Sequence, residues 1–207
     1  MARTIGLKES LRIGEETGAE AKELEKDLKS SDVKVQWDAI RKMKRLSSDI
    51  ISLHEFGWNG SIFVAVIEFI KQQTYDFLRD EKHDAEMLQS ALSILGNYCH
   101  QVKEAPYFVV DKFQTLPEAL HHILSCDRCH DSLKVTILRL HANVSKNPEA
   151  AILITHNNGL NKFVASSISS VNADIRKQAF RAVKYLFAAG CARIADRRSS
   201  IQFHSAT

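Results

Sequence analysis

The segment DAEMLQSALSILGNYCH, residues 84–100, carries the pattern on which the fold prediction depends. It opens with Asp84, a residue type favoured at helix N-caps, and its apolar residues then recur at steps of three and four. Three other segments share this shape: DVKVQWDAIRKMKRLS (32–47), DSLKVTILRLHANVSKN (131–147) and NADIRKQAFRAVKYLFA (172–188). Aligned apolar positions lie 52, 46 and 42 residues apart, at Ala39, Ala91, Ile137 and Ala179. The sequence therefore predicts a repeated long helix, each copy capped by its first Asp or Asn.

Shorter apolar pieces lie between the long segments: SIFVAVIEFI (61–70), LPEALHHIL (116–124) and LNKFVASSI (160–168). Pro106 and Pro148 are 42 residues apart, and each lies where a short first helix would begin. Eight glycines and three prolines among 207 residues leave long stretches without a helix breaker. The predicted unit is a short, a medium and a long helix spanning about 42 to 50 residues.

These residues resemble the armadillo-repeat family. LPEALHHIL is similar to the second helix of an armadillo repeat. DAEMLQSALSILGNYC is similar to the third helix, with Ala91, Leu92 and Asn97 in the family's order of small, apolar and Asn. NNGLNKFVASSI (157–168) resembles the glycine turn into the second helix. The resemblance implies an all-α fold, a right-handed armadillo/HEAT-like α-solenoid of about three to four repeats. HEAT repeats, which have two helices, are the nearest alternative.

The expected organisation has three parts. A charged N-terminal helix or flexible lead occupies residues 1–30, the repeats occupy residues 31–192, and a polar basic tail occupies residues 193–207. The repeats divide into approximate units at residues 31–53, 54–103, 104–147 and 148–190. A turn-rich segment, HEFGWNG (54–60), opens the second of these units.

Stacked armadillo repeats bury their apolar faces and line a concave groove with their third helices. The resemblance implies that this groove holds an extended segment of a partner protein, with Asn side chains on the segment's backbone. Carried over by the alignment, one row of groove positions is Arg45, Asn97, Asn143 and Tyr185. The row one helical turn earlier is Arg41, Ser93, Arg139 and Arg181.

The arginines of the two rows favour an acidic segment, because guanidinium groups attract carboxylates and phosphates. Asn97 and Asn143 would pair with the ligand backbone, and Tyr185 would supply an apolar or stacking contact at the C-terminal end. The alternative is that the arginines are solvated side chains without a ligand.

The composition supports a globular binding protein. A net charge of +3 is too small to define a nucleic-acid binder. The basic runs RKMKR (41–45) and RIADRR (193–198) keep nucleic acid or an acidic surface as an alternative partner, without any aromatic interleaving to support it. Self-association through exposed ends of the solenoid, giving a homo-oligomer, is the second alternative.

The sequence contains no apolar run of transmembrane length, and its N-terminus lacks the apolar core of a secretory signal. The expected location is therefore cytoplasmic, with the nucleus as the alternative. Four cysteines in such a chain are expected to be reduced thiols.

The segment CDRCH (126–130) matches the C-x-x-C-H pattern of covalent haem attachment, but that process needs an export route and a pocket for the ring. Zinc is the stronger alternative, with candidate ligands Cys126, Cys129, His130 and His122. Structural zinc sites usually draw ligands from two separate elements, whereas these candidates lie in one short stretch. The favoured interpretation is a polar loop with partly exposed thiols, without metal or cofactor.

Motifs for catalysis are missing from the sequence. None of its His, Cys, Ser and Asp residues lies in a nucleophile elbow, a P-loop or an HExxH motif. The predicted function is therefore non-enzymatic: an adaptor or scaffold that holds an extended, acidic segment of another protein.

Overall fold

The computed structural model describes residues 19–49, 60–79, 84–156 and 158–204, with only the backbone described at residues 60, 61, 158 and 191–204. The predicted lead covers residues 1–30, and its first 18 residues lie outside the described residues. Most of the turn-rich segment at 54–60 lies outside them as well. Regular structure within the described ranges is entirely helical, as predicted. None of the helices found there combines the length and the apolar character that crossing a membrane requires.

The chain divides into two compact units, Met1–Tyr98 and Cys99–Thr207. In the first unit, residues 19–28 are helical. They are followed by α1 (Val33–Leu46), α2 (Gly60–Arg79) and α3 (Ala85–Gln101), whose last residues belong to the second unit.

Helix α1 begins where the sequence predicts. The Asp32 side chain accepts a hydrogen bond from the backbone N–H of Lys34 at 2.8 Å and so satisfies one donor of the first turn. Ala39, Ile40 and Met43 are buried at helical spacing and form the inner face of α1.

Helix α3 is capped by Asp84, also as predicted. One carboxylate oxygen of Asp84 accepts from the backbone N–H groups of Glu86 (3.0 Å) and Met87 (3.1 Å). The other oxygen accepts from the indole N–H of Trp37 at 2.7 Å. The cap of α3 therefore also holds α1 beside it.

Helix α2 is longer than the segment at 61–70 from which it was predicted. Its buried face continues past Ile70 through Thr74 and Phe77, which follow at steps of four and three residues. Because these side chains pack in the core, the helix continues to Arg79. Phe63, near its start, stacks on the ring of Tyr98 of α3.

The second unit contains two successive sets of a short, a medium and a long helix. The first set is α4 (Ala105–Lys112), α5 (Leu116–Leu124) and α6 (Asp131–Val144). The second set is α7 (Pro148–Ile154), α8 (Asn158–Ser167) and α9 (Ala173–His204). A proline lies in the first turn of α4, α5 and α7, where the missing N–H costs no hydrogen bond. The predicted starts at Pro106 and Pro148 are therefore confirmed.

The long helices form the centre of this unit. Helix α9 packs against α6, α7 and α8, while α4 packs against α6 and α7. A core cluster joins α6, α8 and α9 through buried apolar side chains: Leu138, Ala142, Val164, Ile175 and Ala182. Helix α6 is consequently buried around most of its circumference and resembles a core helix more than a surface helix.

In the second unit, one of the two predicted caps of the long helices is confirmed. Asn172 caps α9 and accepts from the backbone N–H of Asp174 at 2.9 Å. The predicted cap Asp131 is wrong, because the cap of α6 is His130, whose Nδ1 accepts from the backbone N–H of Leu133 at 3.3 Å. Asp131 is the first helical residue, and its carboxylate accepts from Asn172 Nδ2 at 3.0 Å. This contact ties the start of α6 to the start of α9.

Helix α9 is longer than the sequence pattern indicates. The apolar periodicity ends near residue 188, whereas the backbone remains helical through His204. Much of the predicted tail at 193–207 is therefore helical in its backbone.

Candidate functional site

Helix α6 and the turn that follows it carry three polar residues of the candidate site. Arg139 and Asn143 lie four residues apart and so share a face of α6, and Lys146 lies in the turn just after the C-cap residue Ser145. Asn143 is only 3% exposed, whereas Arg139 and Lys146 are half-buried. This face of α6 is the base of the candidate site.

Arg181 of α9 extends to the same face. Its Nη2 donates to the side-chain oxygen of Asn143 at 3.0 Å, and its Nη1 donates to the side-chain oxygen of Gln178 at 2.6 Å. Both acceptors are neutral amides. These two bonds therefore hold the guanidinium group in position without neutralising its charge.

His100, at the end of α3, completes the arrangement. Lys146 Nζ donates a hydrogen bond to His100 Nδ1. An ammonium group has donors and no acceptor, so the imidazole is neutral in this arrangement and Nδ1 is its acceptor nitrogen. We call His100, Arg139, Lys146 and Arg181 the cation cluster, since each is positively charged or becomes so on protonation.

The cations of the cluster disfavour one another's charge. Burial and the nearby charge of Arg181 lower the pKa of Arg139. Burial lowers the pKa of His100, and so do the charges of Lys146, Arg181 and Arg139. Burial and Arg181 also lower the pKa of Lys146, against a small opposing effect of the Cys99 thiol.

No carboxylate contributes to any of these shifts among the residues that the structure describes. Arg139 Nε is in addition buried without a hydrogen-bond partner. Positive charges gathered without a counter-ion are unfavourable for the free protein, and a bound anion would relieve them. The arrangement can therefore bind an anionic group.

Comparison with known proteins identifies the fold. No protein-family model matches the sequence, and no curated protein does. Solved structures do match. An engineered protein is similar over 82% of this chain at 21% identity, with a TM-score of 0.63, and the match spans 41% of that protein. A second engineered protein matches 82% of the chain and 69% of its own length, at 20% identity and a TM-score of 0.60.

A designed armadillo repeat protein, solved in complex with the peptide (KR)4, matches 81% of this chain and 69% of its own length. Its sequence identity is 16% and its TM-score is 0.60. The fold is armadillo-like. The predicted all-α solenoid is thereby confirmed.

Three of the residues predicted to line an armadillo groove lie together in the second unit: Arg139, Asn143 and Arg181. The structure buries Asn143 and engages its oxygen with Arg181. Tyr185, one turn beyond Arg181 on α9, is half-buried, and the Lys184 ammonium lies 5.9 Å from its ring centroid.

The other predicted residues belong to the first unit. Arg41 and Arg45 are exposed on α1. Arg41 lies over the ring of Trp37 and 3.7 Å from the carboxylate of Asp38. Asn97 is half-buried, and its Nδ2 donates to the Ser47 hydroxyl at 3.2 Å.

His100, Lys146 and Gln178 are not among the site residues predicted from the sequence. His100 and Lys146 lie 46 residues apart, the same spacing that relates Asn97 to Asn143 in the armadillo alignment. A third row of aligned positions, one turn after the Asn row, would therefore have contained both residues. No sequence pattern indicated Gln178, because its role is to accept a hydrogen bond from Arg181 and so depends on where Arg181 lies.

The cysteine turn between α5 and α6 differs from the prediction in one respect. Cys126 is half-buried, but Cys129 is 2% exposed, so the prediction of an exposed thiol is wrong for Cys129. Burial raises the pKa of the Cys129 thiol to about 11, and a thiol is a poor metal ligand while it keeps its proton.

The remaining zinc candidates are placed separately. His130 uses Nδ1 as the cap of α6, and His122 is exposed on α5. Within the described ranges, no three His, Cys, Asp or Glu side chains are grouped as a metal site requires.

Proposed function

We propose that this chain is a non-enzymatic binding scaffold and that the cation cluster of its second unit holds an extended acidic segment of a partner protein. One observation supports this proposal above all. Arg139, Lys146 and Arg181 lie near His100, and no described carboxylate balances their charges. An acidic ligand would supply the missing negative charge.

The armadillo-like fold supports a protein ligand. Repeats of this kind present long helical faces on which an extended chain can lie, with its backbone and alternate side chains both in contact. The designed armadillo repeat protein with a similar fold was solved in complex with a basic peptide, (KR)4. Arginines here make a basic ligand unfavourable, because like charges repel at an interface.

The residues have distinct proposed roles. Arg139, Lys146 and Arg181 bind the acidic side chains, while Asn143 and Gln178 position Arg181. Tyr185 adds a stacking contact at the C-terminal end. In the first unit, Arg41, Arg45 and Asn97 remain proposed contacts of the same ligand class. We further propose that the protein acts as an adaptor in the cytoplasm, with the nucleus as the alternative.

Fluorescence anisotropy with labelled peptides tests this function. Three peptides of equal length, rich in Asp and Glu, in Lys and Arg, or in Ser and Gly, are titrated with the protein. We expect binding of the acidic peptide alone, and weaker binding as the salt concentration rises because exposed charges are screened. Tight binding of the basic or the neutral peptide would contradict the proposal.

Two variants assign the binding to the cluster. The double variant R139Q/R181Q should lose at least about 30-fold in affinity, since truncating charged contacts at an interface costs about 2 kcal/mol or more. K162Q removes an exposed positive charge from α8 in the same unit and should change affinity by less than about twofold. Light scattering on the free protein tests the alternative of a homo-oligomer.

A further inference from the structure

The number of charges in the cation cluster exceeds what one acidic side chain can balance. Arg139, Lys146 and Arg181 carry positive charge at neutral pH, and His100 accepts a hydrogen bond from Lys146. A single carboxylate brings one negative charge and leaves the other cations uncompensated. A phosphate monoester brings about 1.5 to 2 negative charges on one compact group.

The donors of the cluster also suit a phosphate. The guanidinium group of Arg181 has five N–H donors, of which the bonds to Asn143 and Gln178 use one on each terminal nitrogen. Three donors remain on a planar group that is already held in place. Lys146 uses one of its three donors on His100 and retains two.

A phosphate group supplies three strong acceptor oxygens, and guanidinium groups bind it in a bidentate manner. A carboxylate has only two oxygens in one plane. Arg181 lies on α9 and Lys146 in the turn after α6, so the donors that they retain come from two separate segments. They therefore match a tetrahedral anion better than a planar one.

The surroundings of the cluster indicate one phosphate rather than a row of them. The polar side chains that position Arg181 are the neutral amides of Asn143 and Gln178. In the turn between α6 and α7, the residues next to Lys146 along the chain are Ser145 and Asn147, also uncharged. A nucleic-acid backbone would instead require positive charges repeated along its path.

We propose that the cation cluster binds a phosphorylated serine or threonine within the acidic segment of the partner protein. This inference rests on the proposed function, because it names one side chain of the ligand described there. Phosphorylation of the partner then controls its affinity for this chain.

The experiment uses three labelled acidic peptides that are identical except at one central residue, which is Ser, Glu or phosphoserine. Anisotropy titrations give the three dissociation constants for the full chain. We expect the phosphoserine peptide to bind about tenfold or more tightly than the Glu peptide, since charge-assisted hydrogen bonds to a dianion are stronger.

Three variants locate the effect. R181Q should abolish the preference for phosphoserine over Glu. R181K, which keeps the charge but loses the bidentate geometry, should reduce that preference to a smaller value. K162Q should retain it in full. Circular dichroism of each variant verifies that the fold is intact.

The outcomes separate this inference from the proposed function. Equal binding of the Glu and phosphoserine peptides would overturn the phosphate inference and leave the proposed function standing. Binding of none of the three peptides would overturn both. Two further probes, a single-stranded oligonucleotide and a vesicle containing phosphatidylserine, are measured alongside. Tighter binding of either than of the phosphopeptide would overturn the phosphoprotein assignment.

Discussion

Helices α1 and α6 were aligned with each other in the predicted repeat pattern, yet the positive side chains on and next to them have different surroundings. On α1, Arg41 lies near the carboxylate of Asp38, and Lys42 forms an ion pair with Glu20. Arg139 on α6 and Lys146 in the turn after it lie near further cations, and no described carboxylate contributes to their pKa shifts. Paired charges serve solubility and local structure, whereas unpaired charges are available to a ligand.

The inner faces of the two helices differ as well. The buried residues of α1 are apolar, namely Ala39, Ile40 and Met43. The inner face of α6 includes His141, which is fully buried and has no partner at Nε2. Burial lowers the pKa of His141 to about 4. Helix α6 thus carries both Arg139, a half-buried member of the cation cluster, and the buried base His141.

The largest expected effect follows from His141. Between about pH 6.5 and pH 4 the unfolded chain binds a proton at this imidazole and the folded chain does not, so the free energy of unfolding falls as the pH falls. We expect a loss of roughly 3 kcal/mol over this range from His141 alone. Urea unfolding at a series of pH values measures the loss.

A variant separates His141 from other titrating groups. H141F has no proton to bind and should show a shallower dependence on pH, whatever its stability at pH 7. An NMR titration of the His141 ring in the wild-type chain gives its pKa directly. A ring that titrates near 6.5 would contradict this account of α6.

The second prediction compares peptide binding by a variant of Arg181 on α9 with binding by a variant of Arg41 on α1. R181E should weaken binding of the acidic peptide about 100-fold, or about 2.7 kcal/mol, because it places a negative charge beside Asn143 at the centre of the cluster. R41E should weaken it less than about threefold, because Arg41 is 69% exposed and already has a carboxylate nearby. Equal losses would contradict this prediction, because Arg41 would then contribute as much to peptide binding as Arg181.

The third prediction concerns the free energy of unfolding that the protein loses by having Arg139 in the cation cluster. R139M should raise the free energy of unfolding by about 1 kcal/mol, since it replaces a half-buried, repelled cation by an apolar side chain. The same change should weaken peptide binding. R41M, on the exposed face of α1, should alter stability by less than about 0.5 kcal/mol. Thermal unfolding measures both, and a destabilised R139M would show that Arg139 serves the fold.

The smallest expected effect on stability concerns the ion pair between Lys42 of α1 and Glu20. K42Q removes the ion pair with Glu20, a pair whose side chains are each more than one third exposed, so the loss of stability should be about 0.5 kcal/mol. The double variant E20Q/K42Q should lose little more than either single variant. A larger coupling between the two residues would mean that the pair holds residues 19–28 against α1.

The chain sequence by itself determined the helical elements and their order. Apolar spacing, the N-caps Asp32, Asp84 and Asn172 and the two proline starts are local signals, because a helix is closed by bonds between near neighbours. The 46-residue spacing between Asn97 and Asn143 also predicted that Asn143 belongs to the candidate site.

Only the tertiary structure determined which polar side chains contact one another. Arg181 contacts Asn143 across 38 positions of sequence, and Lys146 contacts His100 across 46. The packing of helices also decided that Cys129 is buried and that His130, not Asp131, caps α6. These outcomes depend on the distances between helices, which no local pattern of residues contains, whereas the helices themselves depend on neighbours within one or two turns.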